Sequence, residues 1–160
     1  MIQEVNARAA GESGIADSGP EDLGTLVGYR LKEVQSILRS RMDETLRPLG
    51  LTTPQYVCLE VLSRTPGASN AELARGAFVT RQTMNTLLRG LQERGLIERA
   101  VRASSGRALP ISLTAAGREL LGAAVERTHR VEARLVSRLT AVQRETLQEA
   151  LAACVEGLRD

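Results

Sequence analysis

The chain has 160 residues, of which 42% are hydrophobic and 25% are charged, so it can form the core of one domain. Aromatic residues make up only 2%, which favours helices packed on helices over an all-β sandwich or barrel. The net charge is +2, two cysteines are too few for a disulfide scaffold, and no apolar run is long enough to span a membrane, so we expect a cytoplasmic protein.

The N-terminal third predicts a tail followed by one long helix. Residues 1–20 are rich in Gly, Ala, Ser and Glu, which is typical of a loosely packed tail. From Asp22 to Leu46, apolar residues recur at spacings of three and four and form one stripe on an amphipathic helix. Pro48 and Gly50 are expected to end this helix.

Three further helices are predicted by their capping residues. Thr53-Pro54 indicates an N-cap with proline at the first helical position. Ser69 and Glu72 form a capping box for a short helix that is followed by Gly76. Thr80 is a predicted N-cap for a helix that ends at Gly95.

The periodicity then changes from 3.6 to 2 residues, which predicts two short strands. These strands cover residues 97–101 and 108–113, and Pro110 places the second at a sheet edge. Thr114 is expected to cap a long helix that continues to Leu139. Thr140 and Gln143 form a second capping box, which opens a last helix.

Positive charge is concentrated in one segment. Residues 75–107 carry two acids, Glu93 and Glu98, against seven arginines at positions 75, 81, 89, 94, 99, 102 and 107. A local basic segment in a nearly neutral chain is typical of a nucleic-acid surface, although a solvated protein face is the alternative.

The order of the elements favours the nucleic-acid interpretation. A short helix, the glycine-containing turn Gly76–Val79, a second helix and a hairpin match a winged helix-turn-helix, in which the second helix enters the major groove. Arg suits guanine, Gln and Asn suit adenine, and Thr offers a hydroxyl or a methyl group. The candidate DNA-binding residues in this helix are Thr80, Arg81, Gln82, Thr83, Asn85 and Arg89.

The loop between the predicted strands would form the wing. It runs from Arg102 to Arg107 and is rich in Ser and Gly. An arginine-tipped loop can enter a narrow, A·T-rich minor groove, where negative potential is concentrated. We therefore expect Arg102 and Arg107 to bind DNA.

Four segments resemble the MarR family of transcriptional regulators. These segments are Thr53–Gln55, Asn70–Ala74, Leu91–Arg99 and Ser112–Gly117, and the similarity extends from about Leu23 to Leu158. The resemblance implies an obligate homodimer held by the first and last helices, bound to palindromic double-stranded DNA. It also implies release by a small ligand, such as an aromatic or phenolic effector, or by oxidation.

The chain departs from the family pattern at three positions. The family's wing often carries Asp two residues before its tip arginine, and Ser105 stands there. In the recognition helix, Thr86 replaces a frequent arginine, and Arg89 stands where an acid is common.

The resemblance also implies a ligand cleft between the dimer helices and the winged region. The side chains expected to reach this cleft are Tyr29, Met42 and Tyr56, with helical core packing as the alternative role. We thus expect a mostly α-helical winged helix-turn-helix fold, with a DNA-binding region at 51–113 and dimerisation helices at 21–50 and 114–160.

An enzyme is not expected, because no catalytic constellation is present. His129 is the only histidine, so a histidine cluster for a metal cannot form, and we expect no cofactor. Cys58 and Cys154 are expected to serve packing. Two alternatives remain: a redox-switched repressor, and a protein-interaction module that has lost DNA binding.

Overall fold

The structure is a computed structural model that describes residues 23–99 and 110–159. Its helices and strands, in chain order, are α1 (Val27–Leu46), α2 (Thr53–Arg64), α3 (Asn70–Gly76), α4 (Arg81–Glu93), β1 (Ile97–Arg99), β2 (Ile111–Leu113), α5 (Ala115–Leu135) and α6 (Ala141–Gly157). Short 3-10 turns cover Leu23–Thr25 and Arg47–Leu49. The predicted fold class, mostly helical with a two-stranded hairpin, is confirmed.

The chain divides into two compact units, one up to Val34 and one from Gln35 onward. In the first unit, the Arg30 guanidinium donates to the Gly24 carbonyl at 2.9 Å and pairs with Glu33 at 2.9 Å. Among the described residues of this unit, the exposed large hydrophobic side chains are Leu23, Leu26, Val27, Tyr29, Leu31 and Val34.

In the second unit, the helix starts follow the predicted caps with one exception. The side chains of Ser69, Thr80, Thr114 and Thr140 each accept a hydrogen bond from the backbone N–H three residues on, as expected. The prediction that Thr53 caps α2 is wrong by one residue. Thr52 is the N-cap and forms a capping box with Gln55, while the Thr53 hydroxyl donates to Asp43 at 2.5 Å.

One hydrophobic core lies between α2, α3, α4, the hairpin and α5. Its fully buried side chains include Leu59 from α2, Leu73 from α3 and three residues from α4, which are Met84, Leu88 and Leu91. The inner face predicted for the fourth helix is therefore confirmed, except that Leu87 is half-buried.

The hairpin is attached to this core at the start of α5. Strands β1 and β2 pair antiparallel, with Ile97 opposite Leu113 and Arg99 opposite Ile111. A Cβ on Gly117 would lie 2.0 Å from the Leu96 carbonyl oxygen, so only glycine permits this close approach. Residues 100–109, including parts of both predicted strands, lie outside the described residues.

The fifth helix ends earlier in the chain than predicted. Helix α5 ends at Leu135 rather than Leu139, and α6 begins after the Thr140 cap. Within 23–99 and 110–159, no helix is both long and apolar enough to cross a membrane.

Candidate nucleic-acid interface

The turn between α3 and α4 is built by a residue that the sequence did not single out. Gly76 is the last residue of α3, and a Cβ there would lie 2.8 Å from Val61 Cγ1, so this glycine serves close packing. The left-handed backbone conformation falls instead on Phe78, with φ of 54°. The expectation that Gly76 belongs to the turn is therefore wrong.

Backbone hydrogen bonds fix this turn as a Schellman motif. The Val79 N–H donates to the Ala74 carbonyl at 3.0 Å, and the Phe78 N–H donates to the Arg75 carbonyl at 3.2 Å. Thr80 follows directly as the N-cap of α4. The direction of α4 is thus set by the end of α3 and by the burial of its own apolar face.

The outer face of α4 carries unpaired donors and acceptors. Arg81, Gln82 and Arg89 are exposed, and within the described part of the chain their side chains have no hydrogen-bond or ion-pair partner. Guanidinium and amide groups on an exposed helix face are the groups that read base edges in the major groove.

Three other candidate residues on this face are already engaged. The Thr80 hydroxyl accepts from the Thr83 N–H at 3.1 Å, and the two threonine hydroxyls lie 2.9 Å apart. The Asn85 amide oxygen accepts a hydrogen bond from Asn70 of α3. A role for these residues in reading DNA stays a prediction, and Asn85 also fastens α4 to α3.

The basic segment contributes to more than one surface. The Arg94 guanidinium donates to the Gly50 carbonyl at 2.8 Å and so fastens the end of α4 to the loop before α2. Arg99 is exposed on β1. Arg102 and Arg107, the candidate wing residues, lie outside the described residues.

A cavity of about 700 Å³ lies within the second unit, beside the turn before α4. Met42 and Tyr56 line it, together with Phe78, Arg39 and His129. Tyr29 belongs to the first unit, where its side chain is 49% exposed, and its assignment to a ligand site stays a prediction.

The cavity wall combines apolar surface with charged groups of both signs, namely Arg39 and Arg64 against Glu60 and Glu132. Thr128 donates to the Tyr56 hydroxyl at 3.1 Å, which holds the phenol in place. Glu60 pairs with Arg64 and raises the pKa of that guanidinium. Arg39 Nε forms an exposed ion pair with Asp43 Oδ2 at 4.0 Å, and His129 is exposed, so both side chains are accessible to a ligand. Arg39 was missed from sequence because its position beside the cavity depends on tertiary packing.

The two cysteines occupy different environments. Cys58 is 0% exposed, its Sγ lies 3.5 Å from Met84 Sδ, and burial raises its pKa to about 11. Its predicted packing role is confirmed. Cys154 is exposed on α6 in the single chain, so its predicted packing role stays a prediction that requires a second chain. Among the described residues, no three His, Cys, Asp or Glu side chains form a group that could hold a metal.

A short helix, a tight turn, a helix with a polar outer face and a hairpin together define a winged helix-turn-helix protein. Residues 49–108 match the sequence model of the MarR family. The HTH-type transcriptional repressor Rv2887 of Mycobacterium tuberculosis is 46% identical over 138 residues, which cover 86% of this chain and 95% of the relative.

Two solved structures of Rv2887 are similar to this chain. The complex with salicylic acid has a TM-score of 0.66 at 44% identity and covers 88% of this chain and 99% of that one. The complex with DNA has a TM-score of 0.66 at 42% identity, and the match covers 81% of this chain and 97% of that one. The chain belongs to the MarR family of winged helix-turn-helix transcriptional regulators.

Proposed function

We propose that this regulator is a homodimeric repressor that binds two-fold symmetric DNA in the cytoplasm and is released by a small aromatic acid. Residues 51–113 would read DNA, and the helices in 21–50 and 114–160 would hold the dimer. The observation that carries the proposal is that α4 exposes the unpaired side chains of Arg81, Gln82 and Arg89 on one side and buries Met84, Leu88 and Leu91 on the other. Relatives named as transcriptional repressors support repression rather than activation.

The DNA-reading role divides between the helix and the wing. Arg81, in the first turn of α4, is suited to a base edge in the major groove. Gln82 and Arg89 extend the same exposed face, with Thr80, Thr83 and Asn85 as further contacts. Arg102 and Arg107 would act through minor-groove shape and phosphate charge.

The dimer role is supported by apolar surface that the single chain leaves open. Leu147, Leu151, Val155 and Leu158 of the last helical segment are exposed and recur at spacings of three and four. Contiguous apolar surface of this kind is typical of an interface, and two-fold pairing is the commonest way to bury it.

The effector role is supported by the chemistry of the cavity. Met42 and Tyr56 offer an apolar wall to an aromatic ring, Arg39 offers positive charge to a carboxylate, and His129 offers an imidazole N–H. A relative whose structure contains salicylic acid supports the same ligand class. The redox alternative gains no support at Cys58, since a buried thiol with a raised pKa reacts slowly.

The test is binding to DNA selected from a random pool, followed by a salt titration. We expect two half-sites about 34–36 Å apart, or a multiple of that distance, and an affinity that falls steeply with salt. An affinity that stays constant between low and moderate salt would refute DNA binding.

Two arginine variants then separate the roles of helix and wing. Arg81→Ala should weaken binding by about 1–3 kcal/mol and relax the preference at one base pair in each half-site. Arg107→Ala should weaken binding to many sequences and reduce the salt slope by about one unit per arginine. Arg94→Ala is the matched control, because Arg94 is bonded to Gly50 and should affect stability more than sequence preference. Equal, unselective effects of all three variants would contradict the assignment.

A further inference from the structure

Two features of Phe78, its backbone conformation and its exposure, are energetically unfavourable in the single chain. Its backbone is left-handed, with φ of 54°, a conformation that glycine adopts freely and a side chain with a Cβ resists. Its side chain is 93% exposed, so the phenyl ring gains almost no burial. Glycine would remove both costs at this position of a Schellman motif. A strained, exposed aromatic residue of this kind points to a role outside folding.

The position of Phe78 connects the cavity with the recognition helix. The residue lines the cavity together with its neighbours Ala77 and Val79. Its backbone lies two residues before Thr80, the N-cap of α4, within the hydrogen-bonded turn. Only two peptide units separate Phe78 from the N-cap of α4, so the cavity and the recognition helix share this turn.

We propose that Phe78 is an effector-binding residue, which stacks on the aromatic ring of an anionic ligand in the cavity and couples its occupancy to α4. This inference rests on the proposed function, because it assumes a repressor that an aromatic acid releases. Phe78 and Tyr56 both line the cavity, so Phe78 offers the ligand a second aromatic side chain, and aromatic pairs prefer offset or edge-to-face contact. The ligand's carboxylate would face Arg39 or His129.

The energetic logic is that the ligand supplies the contact that the free protein lacks. In the free chain the ring is in water, and on binding it becomes buried against the ligand. Because coupling between two sites is reciprocal, a ligand that moves Phe78 and weakens DNA binding must itself bind more weakly to the DNA complex.

The experiment compares the wild-type protein with Phe78→Gly, Phe78→Ala and Phe78→Tyr. Salicylate is the probe, its affinity is measured by calorimetry, and DNA affinity is measured with and without saturating salicylate. Phe78→Gly should bind salicylate about tenfold more weakly and lose most of the salicylate-induced release from DNA. Its DNA affinity without salicylate should stay within about threefold of wild type.

Two of the variants separate the ring from the backbone conformation. Phe78→Ala lacks the ring but keeps the strained φ, so it should lose salicylate affinity as Phe78→Gly does. Phe78→Gly should melt at a higher temperature than Phe78→Ala, because glycine relieves the strain. Phe78→Tyr keeps an aromatic ring and should retain both salicylate binding and release.

The outcomes that overturn the inference are distinct from those that overturn the proposed function. Equal salicylate affinity in wild type and Phe78→Gly would refute the role of the ring and leave the proposed function intact. A loss of DNA affinity without salicylate would place the ring at the DNA, and a change in oligomeric state would place it between copies; either result overturns the inference. A wild-type protein that binds DNA but not salicylate would refute both this inference and release by this probe.

Discussion

Helices α4 and α6 both carry large apolar side chains, but the chain buries those of only one of them. The apolar side of α4 consists of Met84, Leu88 and Leu91, which are buried, while its polar side is exposed to solvent. Among the described residues of α6, none is buried, and its apolar residues Leu147 and Leu151 are exposed.

The difference separates two kinds of open surface. A polar face over a complete core is available for a polar partner, and its side chains can be changed without loss of the fold. An apolar face without a core beneath it requires a partner for its own stability. We therefore propose that α4 serves recognition and α6 serves assembly, and the following predictions test this division.

The largest effect is expected from a charge on the apolar face of α6. Leu151→Glu should dissociate the proposed dimer and lower DNA affinity by about 2–5 kcal/mol, because it places an unpaired carboxylate in the interface. Sedimentation and DNA titration measure the two effects. Ala153→Glu is the control, since it adds the same charge to the same helix away from the stripe of Leu147 and Leu151. Equal effects of both variants would contradict the assignment of α6.

In the region with a complete core, a single methyl group should destabilise the fold. Gly117→Ala places a Cβ 2.0 Å from the Leu96 carbonyl oxygen, so the helix and the hairpin must separate. We expect a loss of about 1–3 kcal/mol in the free energy of unfolding, measured by denaturant titration. Gly122→Ala is the matched control in the same helix, because no atom lies within 4 Å of its Cβ position. A destabilisation by Gly122→Ala as large as that by Gly117→Ala would argue against the close contact.

The two thiols should report the same contrast through their rates of modification. Burial raises the pKa of Cys58 to about 11, so at pH 8 only about one thiol in a thousand is ionised, and the thiol is also inaccessible. Cys154 should react rapidly with a maleimide in dilute protein and more slowly as the concentration rises and α6 pairs. Cys58→Ser and Cys154→Ser assign the two rates. Rapid modification of Cys58 in folded protein would contradict its burial.

The smallest effect concerns the capping boxes of α3 and α6. The Ser69 hydroxyl and backbone N–H bond to the Glu72 carboxylate and lower its pKa, whereas α6 uses the uncharged Gln143. The stabilisation from Glu72 should be complete above its ordinary value of 4.5 and should disappear as the pH falls through the lowered pKa. Glu72→Gln should therefore melt slightly below wild type at pH 7, and the difference should vanish in acid. A difference that persists at all pH values would show that charge is not involved.

Most helix starts could be predicted because their hydrogen bonds are local. Ser69, Thr80, Thr114 and Thr140 each bond to a backbone group three residues away, so a few letters of sequence contain both partners. The exception is α2, where Thr52 rather than Thr53 is the N-cap. The Thr53 hydroxyl is instead bonded to Asp43, a residue on another helix.

The sequence by itself thus determined the order of the elements, the buried face of α4 and the family. Tertiary structure decided what depends on residues far apart in the chain. Examples are the contact of Arg94 with Gly50 across 44 residues, the contact of Gly117 with Leu96, and the pairing of Asn85 with Asn70. The cavity and the left-handed Phe78 belong to the same group, because periodicity gives the face of a helix but not the neighbour that it meets.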